Sequence, residues 1–307
     1  MESSKQIERA LAFRKMHDGP RLLLLPNAWD VVSAKLYEVE GFQAVGTTSA
    51  GISATLGMAD GERMSLEDNL AVCRRIADRV GIPVSADLET GYSRSVDQLA
   101  ETIRKVVGSG AVGINIEDSV KAGCGGCQPG TLRGVSEQCE RIAAVRQAAD
   151  RAGVPLFINA RTDVLLEHVE ATEQRLSETI ERGNAYRAAG ADCVFVPDMS
   201  VLGESEMALL ANRIHAPLNL IAGDRTPSIE RLEALGVARL SFGPRPMRAA
   251  LHFLRVMARE WVATGRCAQP ATHDALSYTE VNAWFAASDP TPGGCGIQGA
   301  NLLFSAE

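Results

Sequence analysis

One cadence governs the chain from residue 22 to about 264. A short apolar run gives way to a polar or glycine-rich break, and an amphipathic stretch follows. The runs that read as strands are Leu22–Pro26, Ala44–Thr48, Val84–Leu88, Val112–Glu117, Leu156–Ala160, Cys193–Val196, Leu218–Ala222 and Arg239–Phe242. Helices are expected at about 30–40, 65–80, 96–109, 136–152, 171–189, 203–213, 228–235 and 246–264. Strands alternating with helices imply a parallel sheet, because parallel neighbours are joined by crossovers. Eight such units fit an α/β fold of the closed (β/α)8 TIM-barrel kind. An open doubly wound sheet fits the periodicity equally, but no Gly-x-Gly-x-x-Gly follows the first strand. No linker divides the repeat, so residues 1–264 are expected to form one barrel domain. Residues 265–307 read as an extension, with an extra helix at 272–285 and a loose Pro- and Gly-rich tail.

Composition narrows the function. Hydrophobic residues make up 46% and charged residues 22%, the balance of a globular chain. A net charge of −7 without a basic block speaks against nucleic acid and anionic membranes as partners. The run Leu22–Pro26 is far too short to span a bilayer, and the polar N-terminus lacks the apolar region of a secretory signal. Seven scattered cysteines, an odd number, suit a reducing cytoplasm better than a disulfide framework.

In such a barrel, chemistry collects at the C-terminal ends of the strands and in the loops after them. Those ends carry Gly46-Thr-Thr-Ser-Ala-Gly51 with Asp60 beyond, Asp87-Leu-Glu89-Thr-Gly-Tyr92, Asn115-Ile-Glu117-Asp118, Asn159-Ala-Arg161-Thr-Asp163 and Pro197-Asp198. Alternation along a strand would aim Asp87 and Glu89 the same way, with Glu117 at the end of the neighbouring strand. Three converging carboxylates repel unless a cation neutralises them. Hard oxygen donors without His or Cys suit Mg²⁺, or Mn²⁺. The plainer alternative is that these acids cap helices or face solvent.

Arg161 is the cation of this set, and its planar fork suits a carboxylate or phosphonate. The competing reading is an internal salt bridge to Glu117 or Asp163. Thr47, Thr48 and Ser49 lie in a turn of small residues whose amides could cradle an anion. The loop after the fourth strand, Lys121-Ala-Gly-Cys124-Gly-Gly-Cys127-Gln-Pro-Gly130, is long enough for a lid. Its Cys-x-x-Cys lacks the second ligand pair of a zinc site, and neither cysteine opens a helix as in a redox motif. None of the five histidines, His17, His168, His215, His252 and His273, falls at a strand end, and all read as surface or helix residues.

Six stretches together resemble the isocitrate lyase and phosphoenolpyruvate mutase superfamily, closest to its short phosphonomutase-like members. They are Leu25-Pro-Asn-Ala-Trp-Asp30, Leu56-Gly-Met-Ala-Asp60, Ala86-Asp-Leu-Glu-Thr-Gly-Tyr92, Gly113-Ile-Asn-Ile-Glu-Asp118, Asn159-Ala-Arg-Thr-Asp163 and Cys193-Val-Phe-Val-Pro197. The resemblance implies a barrel holding Mg²⁺ through Asp87, Glu89 and Glu117, with Glu89 replacing a second Asp. Asp60 matches an outer acid that works through water. Thr48 and Ser49 match the turn that holds a substrate carboxylate, and Arg161, beside Asn159, matches the substrate-binding arginine. The resemblance also implies a homo-oligomer, a tetramer or dimer, in which the C-terminal helix could be exchanged between subunits.

The lid departs from the pattern. Isocitrate and methylisocitrate lyases carry a basic pair before the lid Cys-Gly and a His after it, whereas this chain has Ala122-Gly-Cys124-Gly-Gly126. The Asn of the mutases is missing too. The expectation is an Mg²⁺-dependent lyase that cleaves a C–C bond, or decarboxylates, a small 2-oxo or 2-hydroxy carboxylic acid. Glu117 and Arg161 are the candidate catalytic residues, with Cys124 or Cys127 as proton donor. The alternatives are P–C bond chemistry on a phosphonopyruvate, or a barrel that binds a 2-oxo acid without turnover.

Overall fold

A computed structural model describes residues 2–121, 131–166, 170–197, 200–266 and 276–286. The described residues form nine strands: β1 (Leu23–Leu25), β2 (Asn27–Ala28), β3 (Val45–Thr47), β4 (Val84–Asp87), β5 (Gly113–Glu117), β6 (Phe157–Arg161), β7 (Cys193–Val196), β8 (Leu218–Ile221) and β9 (Arg239–Ser241). Most are followed by a helix: α2 (Val31–Val39), α3 (Ser49–Thr55), α4 (Leu66–Arg79), α5 (Val96–Gly108), α6 (Val135–Arg151), α7 (Glu173–Ala188), α8 (Glu204–Arg213), α9 (Ile229–Ala234) and α10 (Arg245–Thr264). A further helix, α1 (Glu2–Lys15), precedes them. The chain divides into two compact units, 1–270 and 271–307, and the second contains α11 (Tyr278–Ala286). Among the described residues no helix is long and apolar enough to cross a membrane.

All pairings are parallel, in the order β1-β9-β8-β7-β6-β5-β4-β3-β2. The first strand read from sequence is thus two pieces. Leu23–Leu25 pair with Arg239–Ser241, whereas Asn27 and Ala28 pair with Gly46 and Thr47. The break falls at Pro26, which has no N–H to give a ladder. Counted as one interrupted strand, β1 and β2 join both edges of the sheet and give the eight positions of a (β/α)8 barrel. Asn27 stitches that seam. Its Oδ1 accepts from the amides of Phe242 and Gly243, each at 2.8 Å, and its Nδ2 donates to the Thr47 carbonyl at 2.9 Å.

Ile114 and Ile116 of β5 join the apolar layer under the helices, so the pleat turns Gly113, Asn115 and Glu117 into the barrel. Helix α1 plugs the lower end. Phe13 packs edge-on against Phe157, at 5.2 Å between ring centroids, and a Cβ on Gly113 would lie 2.8 Å from the Phe13 ring. His17, read from sequence as a surface or helix residue, is buried just past α1 and stacks on Phe157 at 4.0 Å. Burial, followed by the charge of Arg239, lowers its pKa to about 3 and keeps the ring neutral.

Above this plug lies a polar layer. Asn115 Oδ1 accepts from Asn159 Nδ2 at 2.7 Å and from Arg239 Nη2 at 3.4 Å. Arg239 is wholly buried, and burial lowers its pKa to about 10. Its Nε and Nη1 make no hydrogen bond to the described chain; nor do Asn219 Nδ2, Asn159 Oδ1, Ser85 Oγ or His17 Nε2. Donors and acceptors are both orphaned in this one interior, the arrangement that ordered water satisfies.

Two outcomes are expected. Asn27→Ala strands two amides and a carbonyl at the seam and should lower unfolding stability by about 3 kcal/mol, read by urea denaturation. A high-resolution crystal structure should show ordered waters bonded to Arg239 Nε and Nη1; dry density there would contradict the filled-layer reading.

Candidate active site

The mouth is built where β3, β4, β5 and β6 end. Strand β5 places Glu117 directly opposite Arg161 of β6 in the ladder. Arg161 Nη1 lies 2.7 Å from Glu117 Oε2. Its Nε and Nη2 grip Asp163 at 2.5 and 3.1 Å, and its guanidinium stands 5.9 Å from the Phe195 ring centre. The salt bridge weighed against a substrate role is therefore present to both acids. Two of the guanidinium N–H donors bond Asp163 while Nη1 faces Glu117, and 20% of the side chain stays exposed. Asp163 is braced from behind. Its amide donates to Asp118 Oδ1 at 3.0 Å, and the buried Asp118 accepts from Tyr186 Oη at 2.7 Å.

Glu117 is 2% exposed in its side chain, and both of its oxygens face cations. Lys121 Nζ sits 2.6 Å from Oε1, which also accepts from Ser119 Oγ at 2.7 Å. Burial pushes the carboxyl pKa up, but Arg161 and Lys121 outweigh it and hold the pKa below the ordinary value. Lys121 is raised in turn, burial opposing its charge and Glu117 prevailing. Lys121 opens the loop read from sequence as a lid, and its ammonium is seated in the mouth.

Asp87, half-buried at the end of β4, takes the amide of Ser49 on Oδ2 at 3.0 Å, and burial raises its pKa. Glu89 departs from the expected alternation. Strand β4 stops at Asp87, and Glu89 occupies a left-handed turn with φ of 49°. Its Oε2 accepts from the Glu62 amide at 2.7 Å and lies 3.9 Å from Lys121 Nζ. Burial, reinforced by Asp87, Asp60 and Glu117, pushes its pKa up to about 8. The turn is held by Glu62, whose Oε1 accepts from Thr90 N, Thr90 Oγ1 and Tyr92 N at 2.8, 2.7 and 3.2 Å. Nothing in the residue spacing pointed to Glu62.

The turn of small residues after β3 is in fact the start of α3, with Thr48 as N-cap and Gly51 N donating to its Oγ1 at 3.4 Å. Its Ser49 amide is committed to Asp87, and Ser49 Oγ donates to the exposed Asp60 at 3.4 Å. Asn159 lies a layer below the mouth, fully buried, with its Nδ2 donating to Asn115 Oδ1. Cys124 and Cys127 lie outside the described residues, as does Asp198.

For a divalent cation, the donor chemistry and the charge fit. Asp87, half-buried, and Glu89, buried, are acids without a full counter-charge, and burial, reinforced by the neighbouring acids, raises their pKa values. Their oxygens are the hard donors that Mg²⁺ or Mn²⁺ takes. The spacing is not yet that of a bound ion: among the described residues no three acidic, His or Cys side chains are grouped closely enough to share one. Glu117 is engaged by Arg161 and Lys121 instead.

Comparison with known proteins agrees with this architecture. The family profile for phosphoenolpyruvate phosphomutase matches residues 13–262. An uncharacterized protein of Mycobacterium tuberculosis is 36% identical over 251 residues, covering 81% of this chain and 88% of its own. The 2,3-dimethylmalate lyase of Eubacterium barkeri is 32% identical over 233 residues, covering 74% of this chain and 77% of its own. A crystal structure from Burkholderia cenocepacia, provisionally assigned as a phosphonomutase, superposes with a TM-score of 0.77 at 37% identity, covering 83% of this chain and 99% of that one. The barrel, its acid-lined mouth and these matches make the chain a member of the phosphoenolpyruvate phosphomutase family, within the PEP mutase/isocitrate lyase superfamily that also includes 2,3-dimethylmalate lyase.

Proposed function

We propose that this chain is a divalent-cation-dependent lyase that breaks a C–C bond in a small 2-oxo or 2-hydroxy carboxylic acid through an enolate. The carrying observation is the cross-strand Glu117–Arg161 pair set beside two acids, the half-buried Asp87 and the buried Glu89, that lack a full counter-charge. When bound at Asp87, Glu89 and Glu117, Mg²⁺ or Mn²⁺ would act as a Lewis acid toward the oxygen on which charge develops.

The chain supplies the rest. Arg161 is fixed by Glu117, Asp163 and the Phe195 ring, and its remaining N–H donors are aimed by those contacts rather than by substrate. A donor placed in advance loses little in reorganisation as negative charge grows. The Thr48–Ser49 turn, with Asp60 beside it, lines the rim from β3, and Asn159 supports the floor by holding Asn115. The carbanion is protonated by a thiol of the lid, Cys124 or Cys127, or by water.

A second reading is favoured by Lys121. With its ammonium beside Arg161 on Glu117, the mouth holds two cations, which suits a phosphonate and hence P–C bond chemistry. The provisional phosphonomutase assignment of the Burkholderia structure points the same way. A cytoplasmic setting is supported by Cys73, Cys139 and Cys193, which are free thiols. The exposed apolar side chains of α10, Leu251 at 51%, Leu254 at 56% and Val262 at 88%, support a homo-oligomer. Helix α11 would be the segment exchanged.

Purified protein with Mg²⁺, with and without EDTA, should turn over one member of a panel of oxaloacetate, isocitrate, 2-methylisocitrate and dimethylmalate, read by mass spectrometry. Turnover of phosphonopyruvate alone, read by phosphorus NMR, would move the assignment to P–C chemistry. Silence across the panel would count against both. On the active substrate, Arg161→Lys should lower kcat/KM by about hundredfold or more, because a point charge cannot keep the fork on Glu117 and Asp163.

The acids also set a pH dependence. A buried carboxyl raised to about 8, as Glu89 is by burial and its acidic neighbours, binds its proton more tightly folded than unfolded. Metal-free stability should therefore fall as pH rises from about 4.5 toward 8. Added Mg²⁺ should raise Tm more at pH 8 than at pH 5.5, because it competes with that proton. An equal rise at both values would contradict the assignment.

A further inference from the structure

We propose that Lys121 is a built-in competitor for the divalent cation: its ammonium takes a place among the mouth carboxylates that the ion would occupy, and the ion enters by displacing it. The inference rests on the cation-site reading of Asp87, Glu89 and Glu117, and it goes beyond that reading by naming what the ion must overcome.

Lys121 Nζ lies 2.6 Å from Glu117 Oε1 and 3.9 Å from Glu89 Oε2, between two of the three acids assigned to the ion. The other oxygen of Glu117 is taken by Arg161 at 2.7 Å. Each oxygen of the most deeply held acid thus already faces a positive charge. A divalent ion brought to this carboxylate meets two cations already there, and like charges at contact distance repel strongly in a poorly solvated site. One of them must leave.

The structure says which. Arg161 is pinned by two bonds to Asp163, by Glu117 and by the Phe195 ring. Among the described contacts, Lys121 has only the two acids for its ammonium, and 24% of its side chain is already in solvent. Its flexible four-carbon stem lets the ammonium swing outward and regain hydration at little cost. Arg161 has no such exit. Two roles follow for one side chain. Without the ion, Lys121 partly neutralises acids that would otherwise repel one another. With the ion, the freed ammonium stands at the rim as a second cation for an anionic substrate.

The test is a Mn²⁺ titration at pH 7.5, with free ion followed by electron paramagnetic resonance, on the wild-type chain, Lys121→Met, Lys121→Arg and Asp87→Ala. Melting curves would confirm that each variant is folded. Lys121→Met should bind Mn²⁺ at least about tenfold more tightly than wild type. Lys121→Arg, which keeps a competing cation, should stay near wild type, and Asp87→Ala should bind far more weakly. Equal or weaker binding by Lys121→Met, with Asp87→Ala still impaired, would overturn the competition and leave the cation site standing. No stoichiometric binding by any variant would overturn the cation site itself, and the competition with it.

Discussion

A parallel sheet becomes a barrel only if its first strand serves two neighbours, and here that burden falls on six residues around Pro26. Leu23–Leu25 pair one way and Asn27–Ala28 the other. The proline between them cannot donate, so the change of partner costs no ladder bond at that point. Asn27 then ties the two edges through its own amide group. Everything at the mouth depends on this seam, because strand ends that carry Asp87, Glu117 and Arg161 converge only when the sheet is closed.

Charge balance is the second constraint. The mouth and the layer below it hold Asp87, Glu89, Glu117 and Asp163 against Arg161, Lys121 and the deeper Arg239. The positive groups are unevenly placed. Glu117 has two of them at contact distance, whereas among the described residues Glu89 has only Lys121, at 3.9 Å, and Asp87 is left with the Ser49 amide. An acid short of counter-charge binds a proton or an ion. The site is thus short of positive charge on the β4 side and balanced on the β5 side, where Arg161 and Lys121 meet Glu117 and Asp163. That asymmetry is what a carboxylate substrate on one flank and a hard ion on the other would exploit.

How much of this was legible in the sequence follows from which forces are local. The strand and helix cadence is a matter of apolar periodicity, so the barrel could be read from it, and the acids at strand ends came with it. The Asp87, Glu117 and Arg161 positions were legible because a strand end has a fixed direction. Glu89 was correctly placed near the mouth for the wrong reason: it lies in a left-handed turn, not on the strand. Helix α3 was hidden because Ser49–Thr55 is short and built of small residues, with weak helical signal of its own. The seats of Glu62, Lys121 and Arg239 are tertiary facts. No spacing rule brings a loop residue to Thr90, or a wholly buried arginine into a barrel core, so only the closed structure could reveal them.

The turn at Glu89 shows how the fold holds an unfavourable local geometry. Glu62, Glu89 and Tyr92 all have positive φ, at 56°, 49° and 51°, although none is glycine. Left-handed backbone at such residues costs on the order of 1 kcal/mol or more each. Three strained residues in contact would not persist unless the surroundings fixed them more strongly. Glu62 supplies that by accepting three hydrogen bonds on one oxygen, while its own amide binds Glu89. Tyr92 Oη donates to Glu89 Oε1 at 3.3 Å, and Asn69 Nδ2 reaches both Tyr92 Oη and the Asp87 carbonyl. A relaxed strand would have sent Glu89 on along β4. The strained turn instead buries its carboxylate beside Asp87 and Glu117, where its charge is costly to bury unless an ion or a proton meets it.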